Sequence, residues 1–143
     1  MSTTMTMRTP REVFEHHFAA FKAGDVDAAM TDYDQHSVVI TPSGAARGVQ
    51  AIREGVTMLL SAIPRATWRL TTQIYDGNIL FLRWAADSRD AQINDGVETY
   101  LFKDGRIHIQ TVHFTLQKNA DRGTRASGIG RYENTRASKI MTG

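Results

Sequence analysis

Apolar side chains recur at helical spacing over roughly the first 63 positions of the chain, then change to an extended rhythm that lasts to about residue 117. Val13, Phe14, His17, Phe18 and Phe21 share one stripe, which predicts a first helix with His17 facing inward and His16 outward. Thr9 fits its N-cap, Pro10 its first turn, Glu12 the return arm of a capping box and Gly24 its stop. Asp25 caps a short second helix that buries Val26, Ala29, Met30 and Tyr33. Val38-Val39-Ile40 reads as a short strand ended by the turn residues Pro42, Ser43 and Gly44. A third helix follows Gly48, apolar at Val49, Ile52, Val56, Leu59, Leu60 and Ile63, and Pro64 ends it.

Beyond Pro64, segments at 66–75, 78–87, 97–102 and 106–117 read as strands. Asp76-Gly77 and Asp104-Gly105 are hairpin signals, and Asp95-Gly96 reads as a further turn or a bulge. Such short connections make antiparallel neighbours, because a parallel crossover needs a dozen residues or more. Helices first and strands later is an α+β order. Both alternating faces of Ile107 to Leu116 carry apolar groups, as do those of Leu80 to Trp84. A sheet covered on both sides reads this way, which predicts the chain's own helices on one face and a homodimer partner on the other.

Composition narrows the function classes. The chain has 143 residues, 41% hydrophobic and 22% charged, and no cysteine. One domain with one core is expected, without disulfides, thiolate nucleophiles or thiolate metal sites. The longest apolar stretches, at 58–63 and 79–82, fall far short of the roughly 20 residues of a membrane span. Met1 to Arg8 has no apolar signal core, so a flexible start over 1–8 and a cytoplasmic location are expected. The net charge of +2 hides an asymmetry. Residues 118–143 hold six Lys or Arg against two Asp or Glu, net +4; residues 1–117 hold eleven against thirteen, net −2. The basic tail, with Arg122, Arg125, Arg131, Arg136 and Lys139, is read as a solvated polar segment rather than a nucleic-acid arm. His108 and His113 differ by an odd number and face opposite sides of a regular strand, so no metal site is expected from them. Phosphate-cradling Gly-rich loops, Gly-x-Ser-x-Gly elbows and His-Glu-x-x-His are all lacking, so any chemistry is expected to need no cofactor.

Three stretches carry a resemblance over residues 9–117. They are Phe18-Ala-Ala-Phe-Lys-Ala-Gly-Asp-Val-Asp27, then Val38-Val-Ile-Thr-Pro-Ser-Gly44 with Arg47-Gly48 and Ala51-Ile-Arg53, and finally Phe102-Lys-Asp-Gly-Arg-Ile107. Together they resemble the cone-shaped, cystatin-like superfamily of nuclear transport factor 2, ketosteroid isomerase and the SnoaL-like polyketide cyclases. That resemblance implies three N-terminal helices packed on a curved, mainly antiparallel sheet. It places His17 where the isomerase has a helix tyrosine, Glu98 at its late-strand acid, and Thr41, beside Pro42, at its catalytic base. Threonine has no useful basicity, so the isomerase's proton abstraction is not expected to persist in that form.

The same register implies a pocket walled by Phe14, Phe18, Thr41, Val112 and Phe114, with Tyr100, His108 and Gln110 turned into it. Apolar walls with a few convergent polar groups suit a small hydrophobic ligand. His17 and Glu98 are the candidate acid–base pair, because desolvation raises a carboxyl group toward the range where a histidine exchanges protons with it. The expected function is binding of a small hydrophobic molecule, with cofactor-independent isomerisation, cyclisation or dehydration as the chemistry. The alternative is a non-catalytic ligand-binding or dimerisation module, which a pocket filled with Phe and Trp side chains would favour.

Overall fold

The structure is a computed structural model and describes residues 6–119. The basic segment singled out in the sequence lies outside these residues from position 120 onward.

Three helices precede the long strands. α1 spans Pro10–Ala23, α2 Val26–Met30 and α3 Gly48–Ala62. The capping box at Thr9 forms in full: the Glu12 amide donates to Thr9 Oγ1 at 3.1 Å, and the Thr9 amide donates to Glu12 Oε1 at 2.8 Å. Gly24 ends α1 at φ 68°, a left-handed conformation that favours glycine. Asp25 caps α2 by accepting from the Ala28 amide at 3.0 Å. Short-range chemistry thus fixes where α1 and α2 begin.

The strands are β1 Val38–Thr41, β2 Gly44–Arg47, β3 Thr67–Asp76, β4 Ile79–Asp87, β5 Ala91–Lys103, β6 Arg106–His113 and β7 Leu116–Lys118. They form one curled sheet in the order β2-β1-β6-β5-β4-β3, with β7 also on β5. All pairs are antiparallel except β1 with β6, which is parallel. Both hairpin signals are used. The tip between β5 and β6 holds Asp104 at φ 52° and Gly105 at φ 73°, the two left-handed residues of a tight turn matched to strand twist.

Of the two readings of Asp95-Gly96, turn or bulge, the structure takes the bulge: β5 passes through it, and its register with β4 shifts between Trp84 and Ala86. One sequence expectation changes here. The segment 106–117 is two strands, broken at Phe114 and Thr115, where Asp95 accepts from the Thr115 amide and hydroxyl at 2.8 Å each. Register shifts also occur between Leu70 and Thr72 and between Leu101 and Phe102. Such bulges bend a sheet locally, which suits a sheet curled around helices.

The core lies between the helices and the concave face of the sheet. Val13, Ile52, Val56 and Leu59 from the helices join Leu80, Leu82, Tyr100, Ile107 and Val112 from the strands in one buried cluster. The opposite face leaves Ile40, Ile74, Ile79 and Phe81 exposed. Among the described residues no helix is long and apolar enough to cross a membrane.

Candidate functional site

The polar heart of the molecule starts at Asp32, just past the α2 C-cap at Thr31 and fully buried. Arg8 donates to its Oδ1 at 2.8 Å, His16 Nδ1 lies 2.9 Å from both oxygens, and His17 Nδ1 lies 3.0 Å from Oδ2. Burial acts to raise this carboxyl group, but the hydrogen bond and charge of His17, with His16 and Arg8, outweigh it and hold Asp32 below the usual carboxylate range. Arg8 also donates to the Gly105 carbonyl at 2.7 Å, tying the start of the fold to the β5–β6 turn. The two histidines divide as the helical stripe predicts, with His17 buried and the His16 side chain 44% exposed. Adjacent positions still reach one carboxylate, because Asp32 sits beside the helix rather than beneath it.

From His17 a line of hydrogen bonds enters the interior. His17 Nε2 is 3.2 Å from the Tyr33 hydroxyl, which donates to Gln110 Oε1 at 2.6 Å. Gln110 Nε2 in turn donates to Glu98 Oε1 at 3.0 Å. The sheet sets this spacing: Tyr100 pairs with Gln110 and Glu98 with Val112, so Gln110 reaches Glu98 on the diagonal of one face. His17 and Glu98 therefore form no direct pair; Tyr33 and Gln110 stand between them.

Glu98 is half-buried by accessible area and lines a small cavity. Burial pushes its carboxyl group up to about 7, against the opposing influence of donors on Tyr100, Gln110 and Trp84. The Trp84 indole N–H acts on this carboxylate without completing a hydrogen bond, since Trp84 Nε1 is buried and has no partner. Burial, with the neighbouring charge of Glu98, raises the Tyr33 and Tyr100 hydroxyls well above their ordinary range, so both remain neutral donors.

The raised Glu98 has a definite sign in stability. Between about pH 4.5, its value in an unfolded chain, and about 7, the folded state binds the extra proton, so stability falls as pH rises through this window. Melting temperature should drop by several degrees from pH 5 to pH 8, a cost on the order of 2 kcal/mol after discounting for the area Glu98 keeps. Glu98→Gln should flatten that slope in thermal melts across the same range; an unchanged slope would place the titrating group elsewhere.

Glu98, Gln110, Tyr33 and Phe21 line the cavity together with Ile52 and Val56 of α3. Its volume is only about 10 Å3, room for about one water molecule. A larger cleft of about 390 Å3 lies outside, between the C-terminal ends of α1 and α3 and the start of β3, bordered by Phe21, Leu60, Ile63, Arg65 and Trp68. Phe21 belongs to both. Its ring packs on His17 at 4.9 Å and on Trp68 at 5.8 Å between centroids, so it separates the cleft from the polar interior.

Of the residues that the sequence placed in a pocket, Glu98 and Gln110 line this cavity. Phe14, Tyr100, Val112 and Phe114 are packed core, Phe14 against Phe18 at 5.8 Å and against Tyr100 at 5.6 Å. Phe18 is half-buried with the Lys22 ammonium over its ring. Thr41 is buried, and its hydroxyl accepts from the Ser43 amide at 3.2 Å, serving its own turn. His108 borders a separate surface cleft of about 380 Å3 with Asp34, His36, Lys103 and Arg106. The register steps from Leu101 with Ile109 to Phe102 with Ile107, so His108 is the extra residue of a bulge and Ile107 takes the inward position.

Asp32, Tyr33, Phe21 and Trp84 complete the site without having been assigned roles in it from the sequence. Asp32 carried one signal, a carboxylate between the buried Met30 and Tyr33. Among the described residues no group of three or more His, Asp or Glu is arranged to hold a metal ion.

Comparison with solved structures returns the same fold. A protein from Kribbella flavida aligns with TM-score 0.65 at 16% identity, covering 87% of this chain and 93% of its own. A candidate polyketide cyclase from Sinorhizobium meliloti aligns with TM-score 0.62 at 20% identity, covering 71% and 93%. A cystatin-fold protein from Novosphingobium aromaticivorans aligns with TM-score 0.64 at 16% identity, covering 74% and 98%. No curated protein gives a significant match. The SnoaL-like domain profile matches residues 14–110, from the α1 stripe through Gln110, and on that match the chain belongs to the SnoaL-like domain family.

Proposed function

We propose that this protein binds a small, largely apolar molecule in the outer cleft and directs its polar end past Phe21 toward Glu98, which acts as a cofactor-independent proton donor and acceptor. The observation that carries this reading is a carboxyl group raised to about 7 by burial and linked by hydrogen bonds to a buried histidine, next to a cleft of ligand size in which Phe21, Leu60, Ile63 and Trp68 stand beside Lys22 and Arg65. Isomerisation, cyclisation and dehydration all use such a group, and a structural neighbour described as a candidate polyketide cyclase fits that class. The proton acceptor is Glu98 rather than Thr41, whose hydroxyl is engaged with its own turn.

The inner cavity does not hold a substrate as it stands, so Phe21 has to turn aside. Phe21→Ala should join cleft and cavity, and affinity for apolar carbonyl compounds in a thermal-shift screen should change at least tenfold. An unaltered ligand profile in Phe21→Ala would argue against this route. The nearly filled interior favours the second reading, a non-catalytic module. The two separate on turnover: with a ligand found by the screen, Glu98→Gln should abolish proton exchange while leaving binding within a few-fold, whereas a module shows no exchange in either protein.

The exposed sheet face supports a homodimer. Phe81 pairs with Ile74, and Ile79 with Leu101, which pairs with Ile109, so an apolar row runs across four strands. Sedimentation equilibrium should show a dimer at micromolar concentration, and Phe81→Glu should return it to monomer; a wild-type monomer would remove the proposal.

A further inference from the structure

The outer cleft carries charge of one sign. Lys22 stands in the last turn of α1 and Arg65 two residues past the α3 C-cap at Ile63, and among the described residues no Asp or Glu borders the cleft with them. The Lys22 ammonium lies 4.6 Å from the Phe18 ring centroid and so has a partner. Arg65 has none: among the described residues its exposed side chain makes no hydrogen bond, ion pair or ring contact. Its backbone sits at φ 55°, in the left-handed region, where glycine or asparagine is the ordinary choice just past a helix. Asp104, which shares this region at φ 52°, has the short polar side chain that tolerates it; an arginine does not. The turn after Pro64 therefore spends backbone strain to hold a guanidinium, free of protein partners, beside the cleft.

Net charge decides what this arrangement takes. The C-terminal ends of α1 and α3 meet the cleft, each equivalent to about half a negative charge, whereas Lys22 and Arg65 bring two full positive ones. The cations more than answer the helix ends, leaving about one positive charge over. A singly charged anion neutralises that remainder, and a doubly charged phosphate overshoots it. The planar fork of an arginine also matches a carboxylate through two parallel hydrogen bonds. Around Glu98 the balance is reversed. The groups acting on it are the neutral Tyr100, Gln110 and Trp84, so a ligand carboxylate there would meet like charge with no cation to offset it. An anionic head is held outside, and only a neutral polar end passes inward.

We infer that the ligand is an apolar acid whose carboxylate sits on Arg65, whose body lies along Phe21, Leu60 and Trp68, and whose neutral oxygen at the far end faces Glu98. Arg65 is the specificity-determining residue: it selects acids and fixes which end of the molecule reaches the acid–base group. This rests on the reading of the outer cleft as the ligand site, and the experiment separates the two.

The probes are decanoate, decanamide and decyl phosphate, titrated into the full chain at about pH 8, where the phosphate is doubly charged. Binding is read as chemical-shift change of the indole N–H of Trp68, which borders the cleft. Decanoate should bind roughly fivefold or more tightly than decanamide, the scale of an exposed but bidentate ion pair, and decyl phosphate no better than decanoate. Arg65→Gln should bring decanoate down to the affinity of the amide without altering the amide's own, and Arg65→Lys should keep part of the preference. Arg65→Gly, which suits the left-handed backbone, gives the same readout should the glutamine variant fold poorly. Equal binding of decanoate and decanamide at Trp68 overturns the inference and leaves the cleft as the ligand site. A preference that survives in Arg65→Gln and Arg65→Gly also overturns it, since cations elsewhere in the chain then hold the carboxylate. Tighter binding of decyl phosphate overturns the choice of a carboxylate, and no shift at Trp68 with any probe overturns both the inference and the site.

Discussion

Asp32→Ala should lower stability by about 3–5 kcal/mol, roughly 10–20 °C in melting temperature, the largest loss expected from any single polar substitution in the fold. The carboxylate is fully buried and is met by Arg8, His16 and His17 together. Removing it leaves His17, itself buried, with an unpaired ring nitrogen, and releases the Arg8 guanidinium from one of its two anchors. Arg8→Ala should cost far less, about 1 kcal/mol, because its side chain is already 36% exposed and water can replace it. Urea melts of the two variants would check the contrast. Similar losses would mean that the cluster is held by Arg8 rather than organised by the buried carboxylate.

Gly96→Ala should cost about 1–3 kcal/mol or more, although Gly96 is not in a left-handed conformation and alanine suits its backbone. The obstacle is contact: a methyl group there would lie 2.3 Å from Trp84 Cε2 and 2.7 Å from Nε1. The indole has little room to retreat, since Trp68 and Phe114 pack against it at 5.4 and 5.9 Å between centroids. Displacing it should also remove the influence of its N–H on Glu98, raising that carboxyl group further. A double-mutant cycle with Trp84→Leu is the check: the smaller side chain should recover at least 1 kcal/mol of the alanine penalty. Additive losses would show that glycine is needed there for some reason other than the indole.

What the sequence made legible was local. Thr9 with Glu12, Gly24, Asp25 and Asp104-Gly105 act within a few residues of themselves, and each forms the cap or turn expected of it. β2 was missed because Gly44-Ala-Ala-Arg47 has no alternation to reveal a strand; its partner β1 makes it one. The parallel pairing of β1 with β6 joins segments about 70 residues apart, and no local signal announces it. His108 shows the same limit in the site itself. Strict alternation turns it inward beside Gln110, and only the partner strand reveals the bulge that gives its place to Ile107. Glu98 and His17 were legible as polar residues at inward positions, whereas Tyr33 read only as part of the buried side of a second helix, which in fact ends at Met30, and Asp32 had no assigned role. Their roles come from meeting α1 on one side and β6 on the other.

The central claim is that Glu98 is a carboxyl group held ready to exchange protons near neutral pH. Carbon-13 NMR titration of its side-chain carboxyl in the ligand-free protein tests this most directly. The structure predicts a midpoint at about 7, shifted from the ordinary 4.5 by burial. A midpoint at the ordinary value would mean that water reaches the carboxylate freely, and it would contradict the proposed acid–base role.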